Sequence, residues 1–385
     1  MPVQTTPSPT VIQLSGRDPD GRFILAVLLK ITYAIMPDGR LEPAGKQIPL
    51  VMELEDHPDI KCLLVQDSDI YPFKPATDVV IKGHAYGGGR TIFEAAVRAH
   101  RNEKRILVIG DRRCALNSRG APVFSDPQPV DKVPLTYVHA YGGRDKGAEK
   151  KYGNPFLELH PGVDRRHCDM DMASPFLYPR NPCGRGYLIE TEKEAVELVE
   201  LPNLEDPSDP LTPEKLPVFD HQQWIRMPLP QATDWYDYSW FPRISYTGIV
   251  PYFEPEGAIP AEVKRGLAPS WITTERAPDA QGAFLMTNGA SPGLVVPYLK
   301  GGEEILLGNM HPRLEALRIR LPIKPPRLFT DGRNGKMNPT EPVMHTVLIE
   351  PDEDRVSILW RGAAPALRPY MPDELTTMPL SAQWP

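Results

Sequence analysis

Proline is the residue that most constrains how this chain can fold. There are 46 prolines among 385 residues, spread along the whole length, which is more than twice the usual share of roughly 5%. Because proline fixes φ and has no backbone N–H, it interrupts helices and central strands. The sequence therefore predicts a mainly β fold of antiparallel sheets, sandwich or barrel-like, with a few short helices and long ordered loops.

Several segments carry the pattern of β-strands joined by turns. Residues 23–35 are aliphatic and β-branched, and the Pro-Asp-Gly turn at 37–39 predicts a hairpin with a second strand that runs to Leu50. Residues 92–99 and 105–109 predict another hairpin, with its turn at 101–104. A short helix around Glu94-Ala95-Ala96 is the alternative there.

The second half of the chain repeats this style. Residues 317–321 alternate apolar and charged side chains, which predicts a half-buried strand. Residues 343–350 and 355–360 flank a Pro-Asp-Glu-Asp turn and predict a hairpin. The tail, residues 363–385, is rich in proline and is expected to form an irregular strap or to remain mobile.

An acidic, proline-rich segment is the best candidate for a boundary between two β-rich lobes. This segment, residues 201–217, predicts a linker or loop between an N-terminal lobe, residues 1–200, and a C-terminal lobe, residues 218–385. One integrated domain with a long ordered loop is the alternative. Just before the segment, a capping-box pattern at 191–194 predicts a helix of one or two turns.

Charge and hydrophobic patterning narrow the possible partners and location. The formal net charge of −7 does not favour binding to nucleic acid. The longest apolar run, residues 23–35, is too short to span a bilayer and contains Lys30. The first residues lack the pattern of a signal peptide, and the four cysteines include no C-x-x-C pair. We expect a cytoplasmic protein with reduced thiols and no membrane partner.

The sequence contains no clear catalytic, cofactor or metal motif. The glycine-rich residues 83–90 lack the Gly-Lys-Ser/Thr of a phosphate loop and are interpreted as a flexible hairpin end. The adjacent His167 and Cys168 could rarely both reach one ion, so residues 165–171 are interpreted as a polar surface loop. We therefore expect no catalytic residue, no cofactor and no metal. A hydrolase that uses His139 or His167 with Cys168 or Asp171 remains a weaker alternative.

Four rigid, turn-rich segments combine glycine or proline with charged and aromatic residues that we expect to be exposed. They span residues 71–78, 110–113, 137–145 and 181–187. Asp and Asn in such turns commonly cap backbone groups while Arg pairs locally; the other interpretation is a protein-binding face. The candidate protein-binding residues are Lys74, Asp78, Arg112, Tyr141, Arg144, Asp145, Asn181 and Arg185.

These segments, in this order, resemble a known family. The matching motifs are Lys-Pro-x-Thr-Asp-Val at 74–79, Gly-Asp-Arg at 110–112, aromatic-Gly-Gly-x-Asp at 141–145, Asn-Pro-x-Gly-x-Gly at 181–186 and Leu-Pro-Asn-x-Glu-Asp-Pro at 201–207. The family comprises domains encoded beside type VI secretion spike genes and described as effector adaptors or chaperones. Cys114 departs from it, because an aromatic residue is expected shortly after Gly-Asp-Arg.

The resemblance implies a function without bond-making. Such an adaptor would bind a toxin effector, or the PAAR-like tip that carries it, and help to mount it on the VgrG spike inside the producing cell. A structural component of a spike or phage-tail-like assembly is the alternative, which the β-rich and proline-rich composition motivates. The hydrolase described above is the less favoured second alternative.

Overall fold

The computed structural model describes residues 5–60, 63–153, 174, 176–189, 199–216, 221–247, 282–331, 333 and 336–384. Strands predominate in these ranges, so the predicted mainly β class is confirmed. The α-helices there are short, namely α1 (Lys146–Tyr152) and α2 (Pro372–Thr377). The 3-10 helices of the described part are Tyr137–His139, His221–Arg226, Arg243–Thr247, Gly282–Thr287 and Pro351–Glu353.

The strands of the described ranges are mostly short, as expected for a chain with proline throughout. In chain order they are β1 (Thr10–Arg17), β2 (Phe23–Ile35), β3 (Leu41–Pro43), β4 (Glu55–Asp56), β5 (Leu64–Gln66), β6 (Thr77–Ile81), β7 (His84–Arg90), β8 (Ile92–Ala99), β9 (Asn102–Ile109), β10 (Cys114–Leu116), β11 (Pro122–Phe124), β12 (Val130–Pro134), β13 (Tyr141–Gly142), β14 (Arg185–Gly186), β15 (Leu204–Glu205), β16 (Val295–Val296), β17 (Glu304–Gly308), β18 (Ala316–Arg320), β19 (Arg327–Asp331), β20 (Met337–Pro339), β21 (Val343–Glu350), β22 (Arg355–Pro365) and β23 (Leu380–Gln383).

Three sheets account for most of these strands. Sheet A has the order β1-β2-β22-β21-β6-β16, with β3 also paired to β2, and its strands are antiparallel except for the parallel pair β21 and β6. Sheet B is antiparallel, with the order β15-β9-β8-β17-β18. Sheet C has the order β20-β19-β23. Two-stranded pairs join β4 to β5, β7 to β12, β10 to β11 and β13 to β14.

Sheets A and B share one hydrophobic core. A single cluster of buried side chains includes Val79 and Ile358 from sheet A together with Val97 and Ile305 from sheet B. This arrangement agrees with the sandwich form of the prediction, and within the described ranges no sheet closes into a barrel. Burial of such aliphatic side chains stabilises the fold by roughly 1.5–3 kcal/mol each.

Strand β2 is buried on both faces, which explains its long apolar sequence. Leu29 and Ile31 point into the core between the sheets, while Leu28 packs with Leu50 in a smaller cluster on the opposite face. The sequence of a strand that is covered on both faces is a nearly continuous run of apolar residues. Lys30 lies within this run and donates to Asp69 at 2.7 Å, so its charge is paired inside the fold.

The three predicted hairpins form, with differences in their lengths and turns. β3 pairs with β2, but it ends at Pro43, well before Leu50. β8 and β9 pair over eight residues each, so the alternative helix is wrong. Their turn is His100-Arg101, and His100 adopts the left-handed conformation with φ of 55°. β21 and β22 form the third hairpin, and β18 is the predicted half-buried strand.

Two sequence interpretations are corrected by the structure. The glycine-rich residues lie in β7, which pairs with β12, and Gly87 to Gly89 fall at the register shift between the paired residues Tyr86 and Arg90. A Cβ on Gly87 would lie 2.3 Å from the Val130 carbonyl oxygen, so a side chain has no room there. The tail is not an irregular strap over its described part. β22 continues to Pro365, α2 follows, and β23 adds an edge to sheet C by pairing with β19.

Both large sheets combine strands from each side of residues 201–217. Sheet A joins β1, β2 and β6 to β21 and β22, and β15 of the segment itself pairs with β9. The helix predicted at 191–198 and the polar loop at 165–171 lie outside the described residues. Across the described chain, the helices found are all too short or too polar to cross a membrane.

Candidate functional site

Three of the four turn-rich segments meet at one place on the structure. Residues 137–145 and 181–187 are joined by the parallel pair β13–β14, in which Tyr141 lies opposite Arg185. Residues 201–207 connect this pair to residues 110–113 through hydrogen bonds described below. We call this unit of four segments the turn platform.

Asn181 lies at the centre of the turn platform. Its side-chain amide donates to the carbonyl oxygens of Tyr137 and Tyr141, at 2.8 and 3.0 Å, and its side chain is fully buried. Gly142 has φ of 147°, and a Cβ there would lie 2.2 Å from the Asn181 carbonyl oxygen. The glycine is therefore required by close backbone contact, and the Asn-Pro-x-Gly-x-Gly motif positions the neighbouring turn.

Asn203 joins the turn platform to the end of β9. Its amide group donates to the Ile109 carbonyl oxygen and to the Asp111 carboxylate, at 3.0 and 2.9 Å. Its side-chain oxygen accepts a hydrogen bond from Nδ1 of His139 at 3.0 Å. Burial lowers the pKa of His139, so its ring is neutral at neutral pH and holds the loop by a hydrogen bond.

A buried ion pair makes the second connection. Arg112 pairs with Glu205 on β15, and the other Glu205 oxygen accepts from the Leu211 backbone N–H at 2.8 Å. Burial raises the pKa of Glu205, and the guanidinium of Arg112 opposes that effect. Arginine stays protonated in proteins, so Arg112 gives Glu205 a permanent positive partner. Removal of Arg112 would leave the buried Glu205 carboxylate without that partner.

Asp145 and Arg144 organise the outer end of the turn platform. Asp145 caps α1 by accepting from the Ala148 N–H at 2.9 Å, and its second oxygen accepts from the Ile189 N–H at 2.7 Å. Arg144 pairs with Glu149 at 2.9 Å. Arg185 donates to the Val138 carbonyl oxygen at 3.0 Å. These contacts make the platform rigid and leave Arg144 and Arg185 about one quarter exposed.

The first turn-rich segment lies in the interior, in a cluster that we call the Asp78 network. Lys74 donates to Asp78 at 2.7 Å, and both side chains are fully buried. Asp78 also accepts from the Asn288 side-chain amide at 2.9 Å and from the Gly289 backbone N–H at 3.1 Å. The carboxylate is thus neutralised by one cation and satisfied by donors from a distant loop.

A second buried ion pair lies beside the Asp78 network. Arg243 donates to Asp67 at 2.6 Å and to the Tyr236 carbonyl oxygen at 2.8 Å. Burial alone would lower the pKa of Arg243, but the charge of Asp67 raises it above the ordinary value. A Cβ on Gly289 would meet the Asp67 carboxylate, so the loop that serves Asp78 also approaches this pair closely.

The expectation that the turn segments expose their charged side chains is wrong for the candidate residues, although Asp111 and Arg113 are exposed. Lys74, Asp78, Tyr141, Asp145 and Asn181 are buried, and the three arginines among the candidates are only partly exposed. Their motifs are explained by internal pairing, which was the other interpretation of the sequence. That these residues bind a partner protein stays a prediction.

Several important residues were missed from the sequence. Asn203 and Glu205 stood in the Leu-Pro-Asn-x-Glu-Asp-Pro motif, so their role could have been suspected from it. Asp67, Arg243 and Asn288 carried no local signal, because their partners are 176 to 212 residues away along the chain. His167, Cys168 and Asp171 lie outside the described residues, and the described residues contain no cluster that could hold a metal ion.

Comparison with protein families identifies the chain at a coarse level. The family model of DUF2169, described as an uncharacterized protein conserved in bacteria, matches residues 20–361. The chain belongs to the DUF2169 family. The match includes the turn platform, the Asp78 network, sheet B and sheet A except for β1 and the end of β22. No curated protein and no solved structure matches the chain.

Proposed function

We propose that this DUF2169 protein is a non-enzymatic adaptor of type VI secretion. It binds a toxin effector or the PAAR-like tip that carries the toxin, and it helps to load that cargo onto the VgrG spike. The resemblance of the five sequence motifs to type VI secretion adaptors is the reason for proposing this secretion system. The observation that carries the proposal is the turn platform, in which hydrogen bonds and an ion pair hold three of the four turn-rich segments together while Asp111 and Arg113 stay exposed at its edge.

A rigid surface suits protein binding because little conformational entropy is lost when it docks. In the turn platform the hydrogen bonds of Asn181 and Asn203 fix the backbone. Arg113, at the platform edge, is exposed and its side chain has no ion-pair partner in the described part of the chain. Arginine is a residue type that protein interfaces favour.

The physical benefit of such an adaptor is stabilisation of its cargo. A partner that binds only the folded state of a toxin raises the free energy of unfolding of that toxin by mass action. Binding also fixes the orientation in which the cargo meets the spike. Neither effect requires a reactive group in the adaptor.

Co-expression with the toxin and PAAR-like genes that the resemblance predicts beside this gene tests the proposal. The expected result is a complex that co-purifies, and reduced secretion of the toxin in a strain that lacks the adaptor. Arg113→Glu should weaken the complex, whereas Lys46→Glu, an exposed charge reversal distant in sequence, should not. A toxin that is fully soluble and secreted without this protein would disprove the function.

The alternative of a spike component is separated by fractionation. A loading factor should remain in the cytoplasm when secretion particles are sheared and collected, whereas a structural component should be recovered in the particles. Mass spectrometry of both fractions from the native strain measures this directly.

A further inference from the structure

Sheet C carries a groove with an unusual lining. The groove has a volume of about 860 Å³ and runs across the start of β19 towards the end of β23. Its walls include four prolines, namely Pro325, Pro326, Pro339 and Pro342. Since proline has no backbone N–H, none of these four residues can donate a main-chain hydrogen bond to an added strand.

Aromatic side chains form the apolar part of the groove. Phe329 lies opposite Pro339 in the β19–β20 pair and is partly exposed. Trp384, which directly follows β23, is 38% exposed. Grooves lined by aromatic side chains can bind extended, proline-rich peptides, whose backbone is already ordered before binding.

The charges of the groove have one sign. Lys324 and Arg327 are the charged residues in its lining, and both are exposed. Neither has an ion-pair partner among the described residues, whereas Lys300 on the nearby surface pairs with Glu341. The chain as a whole has a net charge of −7, so the groove is a basic site on an acidic protein.

Arg327 and Phe329 occupy one face of β19. They are two residues apart in a strand, so their side chains point to the same side of sheet C, while Leu328 between them is buried. Arg327 lies opposite Gln383, the residue before Trp384 in the chain. One cation and two aromatic residues thus line the same groove.

We propose that this groove binds an extended, acidic, proline-containing segment of a partner protein. Carboxylates of that segment would pair with Lys324 and Arg327, and its prolines would pack on Phe329 and Trp384. The inference rests on the proposed adaptor function, for which it names a second contact besides the turn platform. The charge of the groove selects an acidic segment and disfavours a basic one.

Fluorescence anisotropy with a labelled peptide of alternating proline and glutamate tests the groove. We expect the wild-type protein to bind it, and Lys324→Glu with Arg327→Glu to weaken binding by about tenfold or more, which corresponds to about 1.4 kcal/mol. Trp384→Ala should also weaken it. The matched control is Lys46→Glu with Arg119→Glu, which makes the same charge change at exposed positions outside the groove and should leave binding unchanged.

Charge exchange provides a second readout. The double variant Lys324→Glu with Arg327→Glu should bind a peptide of alternating proline and lysine better than the wild-type protein does. Raising the salt concentration should weaken the wild-type complex, because exposed charges are screened. Unchanged binding in the groove variants, or no binding of the acidic peptide to the wild-type protein, would overturn the proposal.

Two further measurements distinguish a peptide site from a phosphate site and the groove from the adaptor function. If a labelled oligothymidylate binds the wild-type groove as tightly as the acidic peptide and is lost in the same variants, the groove is a phosphate-binding site and the peptide proposal is wrong. Co-purification of the cargo with the wild-type protein is measured in parallel. Cargo capture without peptide binding would refute the groove alone, whereas absence of cargo capture would refute the adaptor function itself.

Discussion

Lys74 and Lys324 are both followed by proline, yet the structure uses them in opposite ways. Lys74 is fully buried against Asp78, whereas Lys324 is exposed at the rim of the groove without a partner in the described residues. The next charged residue explains the difference. Asp78 follows Lys74 by four positions, while Arg327 follows Lys324 by three, so the first motif can neutralise itself and the second cannot.

The comparison shows that a charged turn motif can serve the interior or the surface. In the Asp78 network every charge is matched, and the donors of residues 288–290 complete the carboxylate. In the groove two like charges remain beside apolar rings. Burial of an unpaired charge is expensive, so charges that remain unpaired are kept where water can reach them.

The largest expected effect is in the Asp78 network. Asp78→Ala leaves Lys74 buried without a counter-charge and should lower the free energy of unfolding by about 3–5 kcal/mol. Lys74→Met combined with Asp78→Leu removes both charges and should cost less than the single change. Denaturant unfolding followed by circular dichroism measures both, and a loss below about 1 kcal/mol for Asp78→Ala would contradict the buried pair.

The next effect concerns the turn platform. Asn181→Ala removes two buried hydrogen bonds and leaves the Tyr137 carbonyl oxygen with only its bond from the Ala140 N–H, so we expect a loss of about 2–3 kcal/mol in the free energy of unfolding. Asn117→Ala is the matched control, since the Asn117 side chain also makes two bonds to the backbone, by accepting from the N–H groups of Arg119 and Ala121, but is exposed. Equal losses in the two variants would mean that burial of Asn181 is not what makes it important.

Asp234 is a position where we expect a substitution to raise the free energy of unfolding, whereas the two previous substitutions lower it. Burial raises its pKa to about 6, although Lys82 acts against this shift. Between pH 4 and 6 the folded state keeps a proton that the unfolded state has released, so this group makes the protein less stable as pH rises through that range. Above it, the destabilisation is fully present.

Asp234→Asn should therefore raise the free energy of unfolding at pH 8 by about 1–2 kcal/mol, and have little effect at pH 4. The asparagine oxygen can still accept from the Trp235 N–H, as the carboxylate does at 2.8 Å. Urea unfolding at both pH values measures the difference. A variant that is less stable at pH 8 would show that the carboxylate is stabilised by its surroundings, as in the Asp78 network.

The strands could be predicted from the sequence more readily than the sites. β2, β18 and the β21–β22 hairpin have local patterns of apolar alternation and turn residues, which strand formation requires. The Asp78 network depends on Asn288 and Gly289, about 210 residues away, and no local pattern reports such a contact. Lys74 and Asp78 were therefore recognised as part of a motif from the sequence, but they were expected to be exposed and are buried.

The groove was missed for a related reason. Its residues come from β19, β20 and the chain after β23, and the tail was expected to be irregular. Only the pairing of β23 with β19 brings Trp384 into the same groove as Arg327. The high proline content predicted short strands, but it did not show that four of the 46 prolines would line the groove.

The smallest expected change in the free energy of unfolding is in the groove. Lys324→Glu with Arg327→Glu should change the free energy of unfolding by less than about 0.5 kcal/mol, because exposed charges without partners contribute little to stability. The same pair of changes should weaken peptide binding, so the groove would separate binding from folding in a way that the Asp78 network cannot. If the double variant instead unfolds as easily as Asp78→Ala, the two cations must hold the fold together. The contrast between an interior charge that stabilises and a surface charge that recognises would then be wrong for sheet C.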